Sequence, residues 1–441
     1  MVSSLFPIFF LLPLPPLQEP APTQPVSRGR AHVVVQMTGP GVDLDEMAAR
    51  RKAGAGHEEL LALAAALHEQ AAELHRPVMQ AISRIGGTVL DHFWMVNALE
   101  AEIPAGAWDI VAALPGVERV EPVLPVTVAL KQATDANNHD SDGANLLAAP
   151  GGAMTDGTGV TLAIIDTGVD MNTSGTGRPH RAFFADGDPA NTSGGGMAGS
   201  RILSADDINL GDGNNDPEDH HGHGTSVAGI AAAADWNTTF NSDDGVAPRV
   251  WIRVFRIDSD NSLGSSDTTT ISNAFQKVVT YPDVVAANMS FSGIPNPDFL
   301  HNRTMDRTVK KFDVAVVLAA GNSGNNTLQA QGVLNAMTVG AVSEGSHNLA
   351  SFSTRGPLNG RTYPLIVAQG QSITTVRQDA EGSDAGFGGT SGAAPIGTGA
   401  AALVRQAAPS LTAGETNAIL MNTTGPAGGD PDGVGEGYLR I

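Results

Sequence analysis

Cysteine is absent from the 441 residues, so disulfide frameworks, thiolate metal centres, thiol nucleophiles and thiolate haem ligation are excluded together. The redox state of the compartment stays open. Positive charge is scarce: 25 Lys and Arg face 46 Asp and Glu, a formal charge of −21 and a pI near 4.8, which opposes a nucleic-acid footprint built on counterion release. Nucleic acid is not an expected partner. Long apolar runs are missing too, since the one candidate, Leu5 to Leu17, is interrupted by Pro7, Pro13, Pro15 and Pro16 and falls short of the roughly 20 residues a bilayer requires. No stable membrane span is expected. The run reads instead as the apolar part of an export signal, although no Lys or Arg precedes it, and a secreted protein is the expectation.

What the chain does carry is glycine, 52 residues, and proline, 27, the composition of a compact, loop-rich fold built from small residues. At about 150 residues per domain, its length allows two or three domains. Residues 1–30 read as a signal-like and linker segment. Within residues 31–125, a β-branched run at His32 to Met37 precedes a long helical pattern from His57 to Arg84, with Leu60, Leu61, Leu63, Ala64 and Leu67 at helical spacing. Strand-like residues follow over Thr88 to Ile103, then a helix over Ala105 to Leu114 and a strand over Val117 to Val123. This order predicts a small α+β sandwich of ferredoxin-like type.

Residues 124–158 have no sustained period and mark a boundary. Beyond it, apolar strands at Val160 to Ile165, Val250 to Ile257, Val284 to Asn288, Val314 to Ala319 and Ala336 to Val342 alternate with amphipathic helices. The pattern predicts an α/β domain over 130–441, a parallel sheet covered on both faces by helices. Residues 171–219, dense in Gly, Asn and Asp, are expected to form surface loops.

Three short motifs lie in the order Asp, His, Ser. Ile164-Ile165-Asp166-Thr167-Gly168 places an acid at the C-terminal end of a buried strand, where open α/β sheets hold their sites; alone, Asp166 is a turn residue. Gly222-His223-Gly224-Thr225 places a histidine where a loop enters a small-residue helix. His220, His221 and His223 could otherwise form a metal-binding cluster, but no H-E-x-x-H pair accompanies them. Gly389-Thr390-Ser391-Gly392-Ala393-Ala394-Pro395 precedes an apolar helix, so the Ser391 N–H and the helix macrodipole would face a developing anion. By itself Ser391 would be a helix N-cap. The motif lacks the second Gly of a nucleophile elbow and the triad order is wrong for an α/β-hydrolase. A fourth turn, Ala319-Ala320-Gly321-Asn322, ends a strand and offers the Asn322 amide as donor to an oxyanion.

With these motifs the sequence resembles the subtilisin-like serine proteases, the subtilases, whose acid, His, Ser order it shares. It departs from them at Gly392, where Met is frequent, and at Ser226, where a second His is frequent; neither is a reacting group. The resemblance implies a subtilisin-like catalytic domain over 130–441, an inhibitory propeptide over 31–125, and a serine endopeptidase made as a self-processing zymogen. Ser391 would be nucleophile, His223 base and then acid, Asp166 its orienting partner, and Asn322 with the Ser391 N–H the oxyanion hole. Substrate would lie extended along Ser290, Phe291, Ser292 and Gly293, with Ala319, Ala320 and Gly321 walling the pocket for the residue before the cut. No acidic cluster lines those segments, so apolar or unselective recognition is expected. A cut with Leu130 before it would separate the two domains. The chemistry requires no cofactor; the family implies structural calcium, permitted by the loop bearing Asp206, Asp207, Asp212 and Asp216, though no ligands are assigned. Polypeptides and the chain's own propeptide are the expected partners of a monomer. Two alternatives share the resemblance: a non-catalytic binding protein, which would lack part of the triad, and a peptide ligase using the same triad, which product analysis with added amine would separate.

Overall fold

The computed structural model describes residues 26–27, 29–128, 155–171, 175–209, 213–234, 244–343, 345–381 and 384–440. Strand β2 (Arg30–Met37) alternates buried and half-buried residues before running fully buried, and it forms the centre of an antiparallel sheet with β3 (Thr88–Phe93), β4 (Ala98–Pro104) and β5 (Val117–Pro122) in the order β5-β2-β4-β3. The short β1 (Val26–Ser27), counted above with the linker, pairs back onto Arg30 and Ala31. Helix α2 (His57–Arg84) buries Leu60, Ala64, Leu67, Ala71, Val78 and Ile82, a stripe at helical spacing, and covers one face of the sheet. Helix α1 (Asp45–Lys52) has too few apolar residues to show a period, and sequence reasoning missed it.

The larger domain is a seven-stranded sheet, all parallel: β14 (Ile366–Gln369), β13 (Met337–Val342), β12 (Ala315–Ala319), β11 (Val284–Met289), β7 (Thr161–Asp166), β9 (Trp251–Arg256), β8 (Ile202–Asp207). Both faces being covered by helices, β7, β12 and β13 are buried at every residue, which is why their sequences are continuous apolar runs. Edge strand β8 falls inside the stretch expected to be loop. It pairs on one side only, so Ser204, Ala205 and Asp206 stay half-exposed and its sequence carries no apolar signature.

The two domains share a core. Val279, Leu300 and Phe312 of the larger domain pack with Leu60, Phe93, Trp94 and Met95 of the smaller. Arg51 is buried at the seam and donates to the carbonyls of Tyr281, Val284 and Phe312 at 3.0, 2.6 and 3.1 Å. Buried Glu121 accepts the Leu300 N–H at 2.8 Å, holding the first turn of α6 (Leu300–Phe312).

Beneath α2, the Asn97 carboxamide gives its N–H groups to the Met37, Thr38 and Gly39 carbonyls, which leaves Oδ1 to accept from His75 Nε2 at 3.1 Å. His75 Nδ1 must then accept from His92 Nδ1 at 3.0 Å. A proton on His75 would set two N–H groups head to head. Burial depresses its pKa to about 4, and likewise that of His180 to about 4 and His301 to about 3 in the larger domain. Unfolded histidine titrates near 6.5, so between that pH and about 4 the unfolded chain binds protons the native one refuses, and stability falls as pH is lowered. We expect each such residue to remove about 3 kcal/mol by pH 4, at 1.36 kcal/mol per pH unit of displacement. Thermal unfolding of the full chain carrying Ser391→Ala checks this; equal midpoints at pH 7 and 4.5 would refute it.

Candidate active site

Asp166 ends β7, His223 opens helix α4 (His223–Ala232), and Ser391 is the second residue of helix α7 (Thr390–Ala407). Close approach of two turns sets this arrangement. Gly168 has φ +101°, and a Cβ on Gly224 would lie 2.2 Å from the Gly168 carbonyl oxygen, so the Asp-Thr-Gly and His-Gly-Thr segments meet only because both carry glycine. Thr167 Oγ1 accepts the Gly224 N–H at 2.8 Å and donates to Asp219 at 2.9 Å.

His223 Nδ1 and Asp166 Oδ1 lie 2.6 Å apart, both side chains fully buried. An ionised Asp166 can only accept, so Nδ1 carries the proton and Nε2 presents its lone pair. That Nε2 is buried without a hydrogen-bond partner. Phe387 and Phe291 pack beside the imidazole, ring centroids 5.2 and 6.4 Å away.

Ser391 Oγ donates to the Ser290 carbonyl at 3.1 Å, and Ser290 Oγ returns a bond to the Ser391 carbonyl at 3.3 Å. The hydroxyl thus bonds Ser290, and a serine-to-histidine bond is not among its contacts. Turning the hydroxyl toward Nε2 requires giving up one neutral hydrogen bond, about 1 kcal/mol. The Ser391 N–H belongs to the first turn of α7, whose N–H groups lack intrahelical partners. Asn322 Oδ1 accepts from the Thr390 N–H at 3.0 Å and from its hydroxyl at 3.1 Å. With its acceptor end so engaged, the carboxamide can serve an oxyanion only through Nδ2.

Asp219 was not read from the sequence. It is fully buried and accepts from Thr167 Oγ1, His221 N, Gly222 N, Thr225 N and Thr225 Oγ1 at 2.6–3.0 Å, so a single carboxylate pins the His223 loop to the Asp166 strand. The Asp-x-x-Gly spacing before His223 is its sole trace in the sequence. Asn has one acceptor where Asp has two, so Asp219→Asn leaves buried donors unmet, a cost of about 3 kcal/mol. Thermal denaturation reads it out; an unchanged midpoint would exclude the role.

Of the suggested substrate-contact residues, Phe291 and Ser292 meet an extended strand of the chain itself. Segment β6 (Pro125–Thr127) runs antiparallel to β10 (Ser265–Asp267) on one side. On the other, the Ser292 N–H donates to the Thr127 carbonyl at 2.7 Å, the Thr127 N–H donates to Ser292 Oγ at 3.1 Å, and Val128 bridges Phe291. Val128 N–H adds a bond to the Gly264 carbonyl at 2.9 Å. Ser391, His223 and Asp166 are all buried. Gly293, Ala319, Ala320 and Gly321 lie together on the far side of Ser292, linked through Gln329 and Gln331.

In the acidic loop named for calcium, the described carboxylates are engaged within the chain. Asp206 accepts from Tyr281 Oη, Asp207 from the Asn209 and Asp216 N–H groups, and Asp216 bonds His220; Asp212 lies outside the described residues. Among the described residues no group of three or more His, Asp or Glu could hold a metal ion.

A parallel sheet presenting an acid at a strand end, with a histidine and a serine each opening a helix, defines a serine hydrolase. The chain belongs to the subtilase family, whose model matches residues 157–437. It is similar to the serine protease AprX of Bacillus subtilis, 27% identical over 81% of this chain and 80% of that one, and to an intracellular serine protease of Paenibacillus polymyxa, 29% identical over 74% and 92%. It also resembles Subtilisin Savinase of Lederbergia lenta, 31% identical over 60% and 84%. Among solved structures, a cold adapted subtilisin-like serine proteinase aligns with a TM-score of 0.51 at 27% identity, over 65% of this chain and 90% of that one. The protein is accordingly a serine endopeptidase with the subtilisin-like fold that the motifs implied. No helix among the described residues is long and apolar enough to cross a membrane.

Proposed function

We propose that the chain is made as a secreted zymogen that cuts itself, residues 31–125 serving as its inhibitor, and then hydrolyses polypeptides through an acyl-enzyme. The observation that carries this reading is the path of Pro125–Val128, paired on both sides as an added strand and heading for Ser290, whose carbonyl touches the Ser391 hydroxyl. In the reaction, Ser391 Oγ attacks the scissile carbonyl as His223 Nε2 takes its proton. His223 returns that proton to the leaving amine, while Asp166 holds the imidazole and steadies its charged form. Asn322 Nδ2 and the Ser391 N–H stabilise the oxyanion. Water then repeats the sequence on the acyl-enzyme.

Antiparallel register supports a particular cleavage site. Thr127 pairs with Ser292 and Val128 with Phe291; the same antiparallel register carried one residue further along the sequence would set position 129 against Ser290. The bond proposed for cleavage is therefore Ala129–Leu130, one residue earlier than the sequence-based expectation. Export rests on the apolar run before residue 18 alone, and one relative is named for an intracellular location.

Incubating the purified full chain should release a product beginning at Leu130, whereas Ser391→Ala stays intact; N-terminal sequencing and mass measurement read both. A start at Lys131 would restore the earlier register. A Ser391→Ala chain that matures unaided, or a start beyond residue 150, would overturn the proposal.

A further inference from the structure

The walls assigned to the pocket for the residue before the cut, Ser290–Gly293 and Ala319–Gly321, are joined across their gap by two glutamines. Gln329 bonds both sides: its carbonyl accepts the Gly293 N–H at 2.9 Å, and its side-chain Oε1 accepts the Asn322 N–H at 3.0 Å. A Cβ on Gly321 would stand 2.7 Å from the Gln329 carbonyl oxygen and 2.9 Å from its Cβ, so the side chain starts against one wall and ends at the oxyanion residue. Deeper in, Gln331 is fully buried and its Nε2 donates to one carbonyl from each wall, Phe291 at 2.8 Å and Ala319 at 3.3 Å. Two carbonyl partners fix which end of that amide is nitrogen. Its Oε1 is therefore an acceptor, buried without a partner and pressed against Gly293, where a Cβ would come within 2.4 Å. Tyr363 completes the floor, its hydroxyl bonded to the Gln331 N–H and to the Ala320 carbonyl at 2.8 and 2.9 Å.

We propose that Gln329, backed by Gln331, makes this pocket shallow and polar, so that the enzyme cuts after small residues, alanine, serine or glycine, and rejects large apolar and aromatic ones. A ring could enter only by displacing the Gln329 carboxamide from the Asn322 N–H, leaving that donor unpaired, and would then lie over the unsatisfied Gln331 oxygen. A methyl or hydroxymethyl group needs neither displacement. The proposal narrows the expectation of apolar or unselective recognition, and it rests on the peptidase reading and on its assignment of the pocket walls.

The test uses the mature enzyme and two tetrapeptide p-nitroanilides differing only in the last residue, Ala against Phe. The wild type should favour Ala by about tenfold or more in kcat/KM, the scale on which pocket volume discriminates. Gln329→Gly, which empties the mouth of the pocket, should raise kcat/KM for Phe about tenfold, a gain that a damaged fold cannot produce, and Gln329→Ala should give an intermediate rise. Wild-type preference for Phe, or variants that cut Ala without any rise for Phe, would overturn the inference alone. A mature wild type inert toward both anilides and toward casein would overturn the peptidase reading, and this inference with it.

Discussion

Ser391→Ala should lower kcat for peptide hydrolysis by about 10⁶, the scale on which subtilisin's own nucleophile acts, and should leave the fold intact. The hydroxyl contributes one bond, to the Ser290 carbonyl at 3.1 Å, on a residue that is otherwise buried in the first turn of α7. Its removal therefore costs about 1 kcal/mol of stability. Asn322 and the Ser391 N–H are untouched by the change, so a residual rate about 10³-fold above that of water should persist. Steady-state kinetics beside a thermal melt separates chemistry from folding. Full activity in the variant would place the nucleophile elsewhere.

Asp166→Asn should lower kcat by about 10⁴ while KM moves little. The carboxylate sits 2.6 Å from His223 Nδ1 and is fully buried, and the paired strand bonds Ser265–Asp267 and Phe291–Ser292 instead. An amide there offers an N–H to Nδ1, which drives the ring to its other tautomer. Nε2 would then carry the proton it is meant to accept. Because the loss resides in the base and not in binding, the kcat and KM split is diagnostic. A deficit below about tenfold, or one confined to KM, would show that Asp166 does not orient the imidazole.

Much of the fold was legible because burial on both sheet faces writes itself directly into sequence. Strand Thr161–Asp166 and helix His57–Arg84 are examples, the first apolar throughout, the second apolar along one stripe. Strand Ile202–Asp207 was missed, as an edge strand with one pairing side needs no such run. The site was legible for a different reason. Asp166, His223, Asn322 and Ser391 sit in short Gly-rich turns, and tight turns demand particular residues at fixed positions.

Asp219 and Gln329 left almost no mark, since each also joins its own turn to a distant segment, Asp219 to Thr167 and Gln329 to Gly293. The order of reacting groups, the parallel sheet and the absence of thiol chemistry followed from the sequence alone, because each depends on residue type and local spacing. Only the tertiary structure decided that His223 bonds Asp166 while Ser391 bonds Ser290, that Pro125–Thr127 pairs with Ser265–Asp267, and that Gln329 and Gln331 bond Asn322 and Phe291. Apart from Gln329 with Asn322, those are contacts between segments tens to hundreds of residues apart, and register and side-chain direction at such separations are fixed by packing, which no local pattern encodes.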